Sequence, residues 1–276
     1  MEVAPLGLEP EESPLTREYR PQSLGSSDRR NFMRRKWLSS AVRLLSVVAV
    51  GLVAGSVQAE CRDAVVLVHG NTGSPSDFTN TYNELLARGY AAGDIFRPNW
   101  GSKLCAACND HSGAEETPVR EAITQALASS CTGKIDVVSH SMGVTLAIKQ
   151  LLDLGVQDRV EAFVGIAAGY RGLRSCGTYP YNVLTATCGS WGLSIKSPFL
   201  TGIHGKRMAA RIYSFKSDSD EIVCATRTCT VDGVHSSQLA NENESFTYAE
   251  SHYGLLKNTA ARQVDLLQEP SPTPAR

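Results

Sequence analysis

The sequence lacks several features that would point to particular classes of protein. It carries no charge excess, with 27 Lys and Arg against 28 Asp and Glu, so its electrostatics give no reason to expect nucleic acid or an anionic membrane as a partner. It has no apolar run of membrane-spanning length, which takes roughly 20 residues; the stretch from Leu44 to Val53 reaches about ten. No internal repeat is visible, which sets aside solenoids and arrays. Cysteine is missing from the first 60 positions, and the close pair Cys105 and Cys108 has no second pair at zinc spacing. What remains, in a chain of 276 residues, is room for one enzyme-sized domain.

The N-terminal region reads as an address rather than as part of that domain. Arg34-Arg35-Lys36 forms a basic start, Leu44 to Val53 a short apolar core and Val57-Gln58-Ala59 a small-residue cleavage site, the layout of a signal peptide over 34–59. Residues 1–33 show no apolar periodicity and are expected to be disordered or untranslated. Met33 is an alternative start, and Arg29-Arg30-Asn31-Phe32-Met33-Arg34 also resembles a twin-arginine export signal. Cleavage before Glu60 leaves 19 basic against 22 acidic residues, a mildly acidic protein with no stable membrane anchor. All eight cysteines, at 61, 105, 108, 131, 176, 188, 224 and 229, follow that point. An even number confined to an exported part predicts four disulfides in an oxidising compartment, extracellular or periplasmic. Nearness in sequence favours Cys176 with Cys188 and Cys224 with Cys229, leaving Cys105 with Cys108 and Cys61 with Cys131. The alternative for Cys105 and Cys108 is a metal pair with His111 as third ligand; the expectation is no metal and no cofactor.

From residue 60 onward, strands and helices alternate. Ala64 to His69 reads as a buried strand running into the turn Gly70-Asn71-Thr72-Gly73, and Asp77 to Arg88 has helical spacing at Phe78, Tyr82, Leu85 and Leu86. Ile95-Phe96-Arg97 is a short strand, Thr117-Pro118 opens a helix, Ile135 to Val138 is a strand, and Val144 to Leu152 a helix. Further strands are expected at Val160 to Ile166 and Arg211 to Phe215, with a terminal helix from Tyr253 to Leu267. This alternation implies an α/β fold with a mostly parallel sheet flanked by helices, over residues 60–268. The Pro-rich stretch 269–276 is expected to be a mobile tail.

The chemistry centres on Ser139-His140-Ser141-Met142-Gly143, which lies between the strand and the helix. Strand, sharp turn and helix with serine at the apex make a nucleophile elbow: the strained turn projects the Oγ of Ser141 from the end of the sheet. The small residue expected two positions before the serine is Ser139 here rather than glycine. A serine nucleophile needs a base that is itself oriented by an acid, and with such an elbow these follow as acid and then histidine. Only His204, His235 and His252 lie beyond Ser141. His252, at the start of the last helix, is preferred, with His235 as runner-up. For the acid, Asp220 is preferred to Asp218, both just past the strand ending at Phe215; either could be a mere turn residue. The N–H groups of Met142 and Asn71 would form the oxyanion hole. Asp110-His111-Ser112-Gly113 lacks a preceding strand and reads as a loop. Trp100, Tyr170, Tyr179, Tyr181, Trp191 and Phe199 either line an acyl groove or simply pack.

Val66-Leu67-Val68-His69-Gly70, the elbow, Ser219-Asp220-Glu221-Ile222-Val223 and Ser251-His252-Tyr253-Gly254-Leu255-Leu256 together resemble the class 2 lipases, small secreted bacterial α/β-hydrolases, over residues 62–267. The resemblance implies the α/β-hydrolase fold and an ester-cleaving serine enzyme, with Ser141 as nucleophile, Asp220 and His252 as its partners, and Asn71 and Met142 as oxyanion donors. A monomer acting on triacylglycerol-type or other ester substrates is expected. Longer segments at 101–116, 168–206 and 224–249 set this chain apart from the smallest members. An extracellular polyester depolymerase is the alternative within hydrolases. A noncatalytic binding module on the same fold is the alternative from another class.

Overall fold

In a computed structural model, residues 60–270 are described. The expected extension 1–33, the signal peptide 34–59 and residues 271–276 of the tail lie outside the described residues. Glu269, assigned to the tail by sequence, accepts a hydrogen bond from the Tyr213 hydroxyl at 2.9 Å and pairs with Arg262 at 3.3 Å.

Among the described residues, ten strands and six α-helices follow one another: β1 (Ala64–Val68), α1 (Thr79–Ala87), β2 (Ile95–Phe96), α2 (Glu116–Ser129), β3 (Ile135–His140), α3 (Met142–Leu154), β4 (Val160–Ile166), β5 (Leu173–Thr178), β6 (Ser194–Ile195), α4 (Pro198–Ile203), β7 (Arg211–Lys216), β8 (Thr230–Val231), β9 (Val234–His235), β10 (Glu244–Thr247), α5 (His252–Asn258) and α6 (Ala260–Gln268). Six of the strands form one sheet in the order β10-β7-β4-β3-β1-β2, with every neighbouring pair parallel. β1 is buried along its whole length, as strands covered on both faces must be. Its side chains alternate: Val66 and Val68 join the core under α2 and α3, while Val65 and Leu67 join the core under α1, α5 and α6.

The order of strands fixes where a site can form. The chain leaves β1 for β2 through α1 on one face, then passes back to β3, on the other side of β1, through α2 on the opposite face. A single hand of crossover requires that exchange of faces when the direction of travel reverses. The loops after β1 and β3 therefore diverge to opposite faces, and a crevice opens at the C-terminal ends of the two strands. The turn at 69–73 and the apex at Ser141 both lie there.

Three elements differ from the sequence reading. The segment 224–249, expected as an insertion, contains β10, the sixth strand of the main sheet, whose polar, half-exposed Glu-Ser-Phe-Thr carries no core pattern because it lies at the edge. The helix expected from Tyr253 to Leu267 is two helices that break at Thr259. There the hydroxyl bonds back to the Leu255 carbonyl and accepts from Gln263 Nε2 at 2.9 Å, the kind of side-chain competition that bends helices. Segment 168–206, expected as loop, holds the small parallel pair β5 and β6 and the short α4.

The cysteines are joined as Cys61–Cys131, Cys105–Cys108, Cys176–Cys188 and Cys224–Cys229. Cys61–Cys131 closes the longest span, 70 residues, and fastens the start of β1 to the segment before β3. Reduction should therefore lower the melting temperature by about 5–15 °C, from roughly 2–4 kcal/mol for a long-loop bridge. The pair Cys61→Ser and Cys131→Ser should reproduce most of the shift in calorimetry; an unchanged melting temperature would contradict this.

Candidate active site

Ser141 has φ 55° and ψ −130°, a conformation a side-chain-bearing residue adopts only when its surroundings impose it. Here its N–H donates to the Ile166 carbonyl at 2.8 Å, which ties the apex to the end of β4. Close approach of backbones supplies the rest of the constraint. A Cβ on Gly143 would lie 2.2 Å from the His69 carbonyl oxygen and 2.7 Å from that of Val68, and a Cβ on Gly70 would lie 2.9 Å from the Ser141 Cβ. Glycine at both positions lets the first turn of α3 sit directly on the end of β1. Ser139, in the place of the usual glycine, is buried between β1 and β4, and its hydroxyl has no hydrogen-bond partner among the described residues. It occupies that position by being small, not by bonding.

The candidate acid and histidine come from the far side of the sheet. Asp220 is fully buried in the loop after β7 and takes the N–H groups of Ile222 and Val223 on Oδ1 at 2.9 and 2.8 Å. Its two oxygens lie 2.9 and 2.8 Å from His252 Nδ1. The Ser217 hydroxyl donates to the Glu250 carbonyl at 2.7 Å, and Glu221 Oε2 accepts the His252 N–H at 2.9 Å, so the acid loop and the histidine loop are pinned twice over. With its Nδ1 proton held by Asp220, a neutral His252 carries its lone pair on Nε2. The imidazole packs on His140, the residue before Ser141, with ring centroids 4.6 Å apart, and His140 Nε2 donates to the His252 carbonyl at 3.1 Å.

The alternatives have other work. His235 Nδ1 accepts from the Ser237 N–H at 3.1 Å and Nε2 faces the Ser217 carbonyl at 3.3 Å, which occupies both ring nitrogens. Asp218 is exposed. His204 meets Arg171 at 3.1 Å.

Asn71 lies in the turn closed by the Gly73 N–H on the Gly70 carbonyl at 3.1 Å, with Thr72 at φ 56°. Its side chain is gripped by the loop at 102–109: buried Asn109 donates from Nδ2 to Asn71 Oδ1 at 2.6 Å, and Asn71 Nδ2 donates to the Ala106 carbonyl at 2.9 Å. Met142, the first residue of α3, has an N–H of the kind that finds no partner within its own helix. The Thr145 hydroxyl lies 3.0 Å from the Met142 carbonyl oxygen and 2.7 Å from His111 Nε2. His111 is stacked on Phe199, and its Nδ1 faces the Trp191 carbonyl at 2.8 Å. The metal alternative at Cys105, Cys108 and His111 therefore fails: the thiols are joined to each other, and the imidazole is turned into the α3 contact. Asn109 and His111, which brace the two turns, were not identified as contributors by sequence; an asparagine and a histidine in a loop give no pattern. Trp100, Tyr170 and Phe199 are buried, whereas Tyr181 and Trp191 are exposed.

A parallel sheet covered on both faces, with a serine elbow at the switch point and an aspartate–histidine pair at the same edge, defines an α/β-hydrolase. The family model described as "Lipase (class 2)" matches residues 62–265, and the chain belongs to that family. No curated protein sequence matches it. Among solved structures, Aspergillus fumigatus lipase B shares 19% identity at a TM-score of 0.53, covering 76% of this chain and 54% of the fungal one. The mature form of the Bacillus licheniformis lipase BlEst2 shares 15% at 0.53, covering 75% and 93%. Phospholipase PlaB from Legionella pneumophila shares 13% at 0.54 in a complex with thio-NAD, covering 75% and 59%. At these identities the likeness is one of fold, and the chain spans about half the length of the fungal enzyme.

Burial holds three histidines of the site neutral: His69 and His111 are pushed down to about 4, and His140 well below its ordinary value. His69 is stacked on Trp100 with centroids 5.3 Å apart. Between pH 6.5 and about 4 the unfolded chain binds protons that these folded histidines refuse, so their contribution to stability falls with the pH. Buried Asp136, whose carboxyl is pushed well up by burial, acts in the opposite sense, while His204 and His235, also lowered by burial, add to the three. Melting temperature should thus decline from pH 6.5 toward 4.5 in differential scanning calorimetry; a flat or rising profile would contradict neutral burial of these rings.

Proposed function

We propose that this protein is a secreted serine hydrolase that cleaves carboxylic esters, lipids among them, through an acyl-enzyme. The observation that carries the reading is the buried Asp220 bonded to His252 Nδ1, at the same sheet edge as Ser141 on its positive-φ turn. His252 Nε2 takes the Ser141 hydroxyl proton as Oγ attacks the ester carbonyl. The oxygen of the tetrahedral intermediate is met by the N–H groups of Asn71 and Met142. The proton then passes to the departing alcohol, and water, activated by the same imidazole, releases the acid and regenerates Ser141. Asp220 keeps the ring in the right tautomer and stabilises the imidazolium. No step calls for a metal or cofactor. Four disulfides among the described residues support export to an oxidising compartment.

Kinetics on p-nitrophenyl esters test the roles. Ser141→Ala should lower kcat by about 10⁴-fold or more, with the circular dichroism spectrum unchanged. Asp220→Asn should cost at least about 10²-fold by holding the wrong tautomer, while Asp218→Asn stays within about twofold. His252→Gln should cost far more than His235→Gln. Equal losses within either pair would show that the acid or base has been assigned to the wrong residue. Activity on polyester film in excess of that on lipid emulsion would favour a depolymerase.

A further inference from the structure

The chain is 20% charged, yet residues 175–195 contain no Asp, Glu, Lys, Arg or His. This run is not buried throughout. Tyr181 is 90% exposed, Leu184 is 93% exposed, and Val183 and Trp191 are also exposed. Beside it stands the loop at 102–109, also uncharged from Leu104 to Asn109, with Leu104 99% exposed. The Thr187 hydroxyl joins the two loops by meeting the carbonyls of Ala106 and Asn109, the latter at 2.6 Å. Each loop is stapled, by Cys105–Cys108 and Cys176–Cys188. The Ala106 carbonyl also accepts from Asn71 Nδ2 at 2.9 Å, so this uncharged, apolar-tipped rim borders the turn proposed as half of the oxyanion hole.

We infer that these two loops dock the protein on the surface of a neutral lipid assembly, with Leu104 and Leu184 inserted and Tyr181 and Trp191 at the level of the headgroups. The inference rests on the ester-hydrolase reading only for its purpose, which is to bring the site to esters in a lipid phase. The shape of the surface favours a lipid. Leucines this exposed gain by leaving water, and side chains standing almost wholly clear of the protein fit a phase that yields around them. Absence of charge along both segments removes the desolvation cost of insertion. Tyr and Trp, apolar with one polar atom, suit the boundary between headgroup and acyl chain. The cation beside Leu104, Lys103, is turned to His69 Nε2 and the Trp100 carbonyl, so anionic headgroups offer little added attraction.

The test uses the purified full chain, phosphatidylcholine vesicles and the double variant Leu104→Ser/Leu184→Ser, whose positions are too exposed to disturb folding. Burying a leucine side chain is worth about tenfold or more in affinity, so the double variant should bind vesicles about 100-fold more weakly than the parent. Parent binding should be indifferent to salt and should not rise when phosphatidylserine is added. Hydrolysis of a soluble short-chain ester should stay within about threefold, whereas hydrolysis of emulsified triglyceride should fall along with binding. Ser141→Ala should bind vesicles as the parent does; a parent that binds through the tips yet hydrolyses no ester would overturn the ester reading and leave the docking surface standing. Equal vesicle binding by parent and double variant would overturn the inference. So would a double variant that loses only adsorption to polyester film, that changes from dimer to monomer with vesicle binding intact, or that loses soluble-ester activity as severely as emulsion activity.

Discussion

The structure depends on the contact of two backbones at the centre of the sheet, where the first turn of α3 rests on the end of β1. The 2.2 Å between a hypothetical Cβ at Gly143 and the His69 carbonyl oxygen shows how little room is left. That contact forces Ser141 out of the ordinary backbone regions, sets the Met142 N–H at the exposed start of a helix, and brings the 69–73 turn alongside. The serine and both proposed oxyanion donors thus come from a single packing event between adjacent strands, and the parallel register of β1 with β3, Val68 opposite Ser139, holds it in place.

The proposed acid–base half is assembled differently. Asp220 and His252 belong to loops beyond the other side of the sheet, and nothing covalent near the serine fixes them. Ser217, Glu221 and the Asp220 carboxylate join the two loops to each other, and His140 carries that assembly to the elbow through the His252 carbonyl. Cys224–Cys229 closes the chain just after the acid loop. Burial of Asp220 strengthens its bond to the imidazole, while two backbone N–H donors keep the carboxylate from being stranded.

How much of this could be read from sequence follows the range of the interactions. The elbow was legible because strand, turn and helix are contiguous, and the apolar pattern of Ile135 to Val138 and Val144 to Leu152 leaves no other assignment. The proposed acid and base were legible by residue type and order. Position before the last helix favoured His252 over His235, but sequence offered no physical ground for choosing between Asp220 and Asp218, because burial is what separates them. β10 escaped notice because an edge strand with one partner needs no apolar face. Asn109 and His111 reach partners 38 and 34 residues away, and such polar contacts leave no periodic trace. The break at Thr259 turns on one hydroxyl.

The central claim is that the backbone contact at Gly143 makes Ser141, and no neighbouring hydroxyl, the reactive group. A fluorophosphonate probe followed by peptide mapping tests it directly, since the same tryptic region contains Ser139 and Ser141 and fragmentation distinguishes them. The account predicts one phosphonyl group per chain, on Ser141. Modification of Ser139 or of Ser112, or no modification of the folded protein, would contradict it.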